Sequence, residues 1–149
     1  MNKSMARINE LLVQLFNDVI QIEEQSLKSG VLSDLSITEI HTIEAIGMYN
    51  ERTMSEVAQT LKITVSTLTT AINKLIKKEY VERKRIEEDR RVVLIKLTKR
   101  GKLAFRIHRR FHREMINTAI EGLDLEEEEV LISALDKINH FFIEKYKLD

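Results

Sequence analysis

SEVAQTLKITVSTLTTAINKLIKKEYVERKRIEEDRRVVLIKLTKRG occupies residues 55–101, and its apolar spacing changes from three-and-four to two partway along. Just ahead of it, Thr53 can cap a short helix whose apolar positions are Met54, Val57, Ala58 and Leu61. Lys62-Ile63-Thr64 then makes a tight connection, with Thr64 available as the next N-cap. A second helix over 65–78 turns Leu68, Ile72, Leu75 and Ile76 inward. Its opposite face carries Ser66, Thr67, Thr69, Thr70, Asn73, Lys74 and Lys77. Beyond it the alternation becomes that of strands: Val81, Arg83 and Arg85 against Glu82 and Lys84, then Val93, Ile95 and Leu97 against Leu94 and Lys96. The charged run Glu87-Glu88-Asp89-Arg90-Arg91 lies between them, so the pair is a β-hairpin with a polar tip. A helix, a tight turn, a helix and a hairpin make a helix-turn-helix with a wing.

Outward from this centre the chain is helical. Residues 5–28 place Ile8, Leu11, Leu12, Leu15, Val19 and Ile22 on one stripe, and Ser29-Gly30 ends the helix, glycine being suited to a left-handed cap. Ser36 with Glu39 three residues on forms a capping box for a helix that turns Ile37, Ile40, Ile43, Ile46 and Gly47 inward. Thr98 caps a long helix with Leu103, Ile107, Phe111 and Met115 at steps of four, closed by Gly122. Asp124 caps the last, whose acidic first turn suits the helix dipole and whose apolar set is Val130, Leu131, Leu135, Ile138, Phe141 and Phe142. The expected fold is mainly α with a small β-wing: one domain over 1–149, with a winged helix-turn-helix at 36–98. The flanking helices at 1–30 and 100–149 carry more apolar positions than one small winged domain can cover, so they are expected to build a homodimer.

Composition removes whole classes of function. At 149 residues the chain has the size of one domain, and it contains no cysteine, which excludes disulfides, thiolate zinc sites and a cysteine nucleophile. Its four glycines are isolated, so no phosphate-cradling glycine loop is present. No apolar run approaches the ~20 residues of a membrane span, and MNKSMARINE lacks a signal-type apolar stretch, so a cytoplasmic protein without membrane association is expected. No serine sits in a recognisable nucleophile elbow, and Glu23-Glu24 point in different directions on a helix, so an enzyme has no positive support. The formal net charge of zero hides a segregation: −5 over 1–61, +12 over 62–113 and −7 over 114–149. Concentrating positive charge around the helix-turn-helix is the footprint of a polyanion-binding surface. Short Ser, Thr and Asn side chains can reach base edges, while Lys74 and Lys77 lie further along, where a phosphate backbone would run. An Arg-rich hairpin tip can enter an adjacent minor groove.

The stretch quoted above resembles the DNA-binding core of MarR-type transcriptional regulators, with Asp89-Arg90-Arg91 as the Asp-x-Arg of the wing and Leu97-Thr98 as its close. The resemblance extends over essentially the whole chain. It implies an obligate homodimer with two reading heads on pseudo-palindromic double-stranded DNA. By position it makes Arg91 the wing-tip arginine, Asp89 its orienting carboxylate, and Ser66, Thr67, Thr69, Thr70 and Asn73 the groove-facing set. One departure is Glu79, where such proteins often carry a helix-ending glycine; a left-handed non-glycine costs roughly 1 kcal/mol, so the helix can end differently without loss of binding. EEQSLKSGVLSDLSITEIHTIEAIG, TVSTLTTAINKL and KRGKLAFRIHRRFH are similar to the fatty-acid-synthesis repressors of lactic-acid and streptococcal bacteria. That subtype implies no required cofactor and a long-chain acyl group on acyl carrier protein as corepressor.

Two other readings stay open. His108 and His112 stand at i and i+4, and with His41 and Glu23 or Glu24 they form a mixed nitrogen and oxygen set of the kind zinc accepts. This set is similar to the zinc-sensing branch of the same family, which makes a zinc- or small-molecule-responsive regulator the alternative. Arginines 106, 109, 110 and 113 surround the two histidines, so this face also suits an acidic partner such as acyl carrier protein. The remote reading is a helical dimer that binds no DNA.

Overall fold

In the computed structural model, which describes residues 2–49 and 51–148, the chain divides into two units, residues 1–109 and 110–149. Among the described residues, six helices and three strands follow in the order α1 (Lys3–Ser29), α2 (Ile37–Ile46), β1 (Arg52–Thr53), α3 (Met54–Leu61), α4 (Val65–Lys77), β2 (Val81–Arg85), β3 (Val93–Leu97), α5 (Lys99–Ile120) and α6 (Leu125–Tyr146). The expected helices and hairpin are present.

Local chemistry sets the helix starts. Ser36 and Glu39 close a reciprocal capping box on α2, and Asp124 and Glu127 do the same on α6. Thr53 and Thr64 accept from Glu56 N and Thr67 N at the starts of α3 and α4. Thr98 Oγ1 accepts from Gly101 N at 3.1 Å at the head of α5. Lys62 turns the chain between α3 and α4 in the left-handed region, at φ 56°. A similar turn follows α4, where Glu79 keeps φ 68° without being glycine. Its neighbours hold it there: Tyr80 N donates to Leu75 O at 2.9 Å, and Thr98 Oγ1 donates to Glu79 O. The departure from glycine therefore leaves the left-handed turn in place.

Three readings need correction. Gly30 is extended, at φ −109° and ψ −173°, so α1 does not end in a left-handed glycine; Gly30 N reaches back to Leu27 O instead. Gly47 sits at the end of α2 with φ 79°, as a cap rather than a packing position. In α5 the buried residues are Gly101, Ala104 and His108, whereas Leu103 is exposed and Ile107 half-buried. Gly101 wins the inward face because its α-carbon lies against the Tyr80 carbonyl, a place too tight for any Cβ.

The core of residues 1–109 is built from Ile40, Ile43 and Ile46 of α2, Val57 of α3, Leu68, Ile72 and Leu75 of α4, and Tyr80, Val81, Ile95 and Leu97 around the hairpin. β2 and β3 pair antiparallel with Arg83 opposite Ile95, and the two-residue β1 extends the sheet on the other side of β3. Arg52 of β1 donates to Ala45 O and to Thr60 Oγ1, tying the end of α2 to α3. α1 buries only Glu23 and Leu27. Within residues 110–149, α6 buries none of its side chains and leaves Val130, Ile132, Leu135 and Phe141 exposed. No helix among the described residues is long and apolar enough to cross a membrane.

Candidate nucleic-acid interface

The helix-turn-helix presents α4 with its apolar face locked and its polar face open. Leu68, Ile72 and Leu75 are fully buried, which fixes the helix rotation about its axis. Ser66, Thr67, Thr70, Asn73, Lys74 and Lys77 are consequently exposed together on the other side. Thr69 differs from the rest of that set. It is half-buried and its hydroxyl donates to Val65 O at 2.8 Å, the back-bond common for Thr inside a helix. Thr67 is drawn into the cap, where Thr64 Oγ1 donates to its hydroxyl at 2.9 Å. Asn73 Oδ1 accepts from Arg83 Nη1 at 3.0 Å, so β2 reaches over to the recognition face.

At the wing, Val92 N donates to Asp89 O and Ile86 N to Val92 O, closing the tip. Asp89 Oδ1 accepts from both Arg91 N and Arg91 Nε at 3.1 Å, and its Oδ2 from Nη2 at 3.3 Å. These bonds, the side-chain one first, hold the Asp89 carboxyl below the usual carboxylate range. The Arg91 side chain remains 91% exposed, so the carboxylate orients the guanidinium without sheltering it. Arg90 is exposed beside it, and its carbonyl accepts from Arg85 Nη1 at 3.2 Å. Between the wing, α4 and the start of α3 runs a groove of about 390 Å³ lined by Ser55, Thr69, Arg83, Arg85, Arg91 and their neighbours.

Some of the positive charge is paired within the fold, and some is exposed around the candidate interface. Lys78 pairs with Glu39 at 2.9 Å, Arg100 with Asp34 at 3.2 Å, and Lys96 with Glu82 at 3.5 Å. Arg100 also stacks over the Tyr80 ring at 4.3 Å. These three cations have carboxylate partners within residues 1–109. Lys74, Lys77, Arg83, Arg85, Arg90 and Arg91 are exposed around the groove and the open face of α4. Reading the sequence missed Arg83 and Arg85 as part of this surface. Their i, i+2 spacing on one strand, which places both on one face, was the available signal.

Three of the expected donors, Glu23, His41 and His108, come together. Glu23 Oε1 lies 2.9 Å from His41 Nε2 and 2.7 Å from His108 Nε2, and His108 Nδ1 lies 2.8 Å from Glu44 Oε1. Glu23 and His108 are both buried. The ligand atoms of Glu23, His41 and His108 fall within 4.8 Å of one another. Glu24 is not in this group: it is the next residue along the helix, about 100° round, and is exposed. His112 belongs to the 110–149 unit. Two imidazoles and a carboxylate are a donor set that zinc accepts. The same atoms already satisfy one another as a polar staple joining α1, α2 and α5.

Comparison with known proteins bears directly on this surface. A MarR family model matches residues 33–92, from the loop before α2 through the wing tip. The chain is similar to FabT of Streptococcus pneumoniae, solved in complex with DNA, with 43% identity and a TM-score of 0.89 over 94% of this chain and 98% of that one. The MepR–DNA complex of S. aureus shares the fold at 22% identity, with a TM-score of 0.75 over 89% of this chain and 96% of that one. By sequence, the HTH-type transcriptional regulator PchR of Bacillus subtilis is 24% identical over 135 residues, which is 89% of this chain and 76% of PchR. An identity of 43% along nearly the whole of both chains, added to the match across the helix-turn-helix and wing, makes this chain a member of the MarR family.

Proposed function

We propose that the chain is a sequence-specific DNA-binding transcriptional regulator: a repressor of fatty-acid-synthesis genes whose corepressor is long-chain acyl-acyl carrier protein. It is a regulator and not an enzyme. The observation that carries the reading is one surface combining the polar face of α4 with an exposed, carboxylate-oriented arginine at the wing tip. Ser66, Thr67, Thr69, Thr70 and Asn73 would meet base edges in the major groove, Lys74 and Lys77 the backbone, and Arg90 and Arg91 the minor groove, with Asp89 aiming Arg91. Similarity to a FabT solved with DNA supports the same assignment.

The acting form is a homodimer on a pseudo-palindromic operator, with 36–98 as the reading head and 1–30 and 100–149 as the dimerisation helices. Support comes from the apolar side chains these helices leave in water: Phe16 is 67% exposed, and Ile8, Leu15, Val130, Ile132 and Phe141 are each more than half exposed. A monomer with this much uncovered apolar surface would aggregate or find a partner. A chromosomal operator places the site of action in the cytoplasm.

An acyl group strengthens DNA binding only if it prefers the arrangement of the two heads that fits the operator. The direct test titrates the operator complex with acyl-acyl carrier protein and, as control, with the unacylated carrier. Tightening by the acylated form alone supports the corepressor, and equal affinity in both arms removes it. A second reading, a zinc-responsive regulator, is favoured by the convergence of Glu23, His41 and His108. A response to zinc in the same titration would put that reading first.

A further inference from the structure

We propose that Arg83 is a positioning residue for sequence specificity: it holds the Asn73 carboxamide so that its amino group, and not its oxygen, faces the bases. The inference rests on the DNA-binding reading above, with α4 in the major groove. Arg83 Nη1 lies 3.0 Å from Asn73 Oδ1, and both residues are exposed, one on β2 and the other on the open face of α4. A guanidinium donates and never accepts. The reverse amide orientation would set N–H against N–H, so the arginine dictates which end of the carboxamide turns toward it. The backbone of Arg83 is set by the ladder, opposite Ile95, whose side chain is fully buried.

The consequence concerns base choice. An unrestrained asparagine reads adenine with both ends, accepting from N6 and donating to N7. With Oδ1 held by Arg83, Asn73 offers N–H donors outward. Donors suit the acceptors N7 and O6 of guanine or O4 of thymine, whereas adenine offers them N7 alone and sets its N6 amino group beside them, donor against donor. Arg83 thus biases a base pair that it does not itself touch, selecting guanine or thymine over adenine opposite Asn73.

The test selects binding duplexes from a randomised pool using the full-length protein and three variants. Asn73→Ala identifies the position read by Asn73, because preference there flattens. At that position the wild type should favour guanine or thymine, and Arg83→Ala should shift the ratio toward adenine by about tenfold. Arg83→Lys, which keeps a cationic donor, should retain most of the original preference. The double variant should match Asn73→Ala at that position. An unchanged base ratio in Arg83→Ala, or a loss of affinity equal for every sequence, would overturn the proposal and leave Arg83 as a phosphate contact. If the wild type itself enriched no sequence, the DNA-reading function would fail first, and the two failures are distinguishable.

Discussion

Gly101→Ala should destabilise the fold even though alanine is the better helix former. Gly101 lies in the first turn of α5, and a Cβ built there would stand 2.1 Å from the Tyr80 carbonyl oxygen and 3.1 Å from Leu97 Cβ. Ordinary contact begins near 3.4 Å, so α5 or the carbonyl must move by more than 1 Å. The carbonyl is not free to move, since it accepts from Thr98 N at 3.0 Å and belongs to a Tyr80 that is 1% exposed. Replacing glycine inside a helix favours the variant by about 1 kcal/mol. Overpacking opposes it by about 1–3 kcal/mol, and breaking the Thr98 bond adds roughly 1 kcal/mol. The net expectation is a loss of about 1–3 kcal/mol. Urea unfolding at fixed protein concentration, followed by circular dichroism, measures it, concentration being held because dimerisation would contribute to stability. An unfolding midpoint equal to or above wild type would refute the packing argument.

Four further outcomes follow from the same structure. Arg91→Ala should weaken operator binding about tenfold or more in fluorescence anisotropy, through lost charge and lost minor-groove shape reading. Lys77→Ala should lower affinity for operator and random DNA alike and reduce the salt slope by about one. Burial, and then the hydrogen bond to Asp34 at 2.7 Å, raises the Tyr80 hydroxyl from 10.0 to about 12, which favours the neutral form in the fold. That contribution is complete below pH 10 and is lost as pH rises to about 12, so Tyr80→Phe should flatten the alkaline limb of the stability profile. Sedimentation at micromolar concentration should give a dimer of the 17.4 kDa chain, and a charge placed at Phe16 should shift the equilibrium toward monomer.

Much of the fold is legible in the sequence. Caps and periodicity locate α1 through α6, because Thr53, Thr64, Thr98, Asp124 and the Ser36–Glu39 capping box are local signals that packing does not override. The two-residue β1 was not legible, since so short a strand has no period of its own and exists only through β3. The inward face of α5 was misjudged for a related reason. Counting apolar residues chose Leu103, while a close backbone approach at Gly101 decides which side faces in. For the site, composition marked α4 and the Asp89–Arg91 tip, but the Arg83–Asn73 contact spans two elements and depends on hairpin register. The choice between Glu23 and Glu24 turned on helix rotation, which is set by which residue neighbouring helices bury.

The most direct test of the account is the affinity of the full-length dimer for a selected pseudo-palindromic duplex against a scrambled duplex of equal length, at physiological salt. The account predicts a preference of about a thousandfold or more, with two chains per duplex and the preference reduced about tenfold or more in Arg91→Ala. Equal affinity for the two duplexes, with wild type and variant alike, would contradict it.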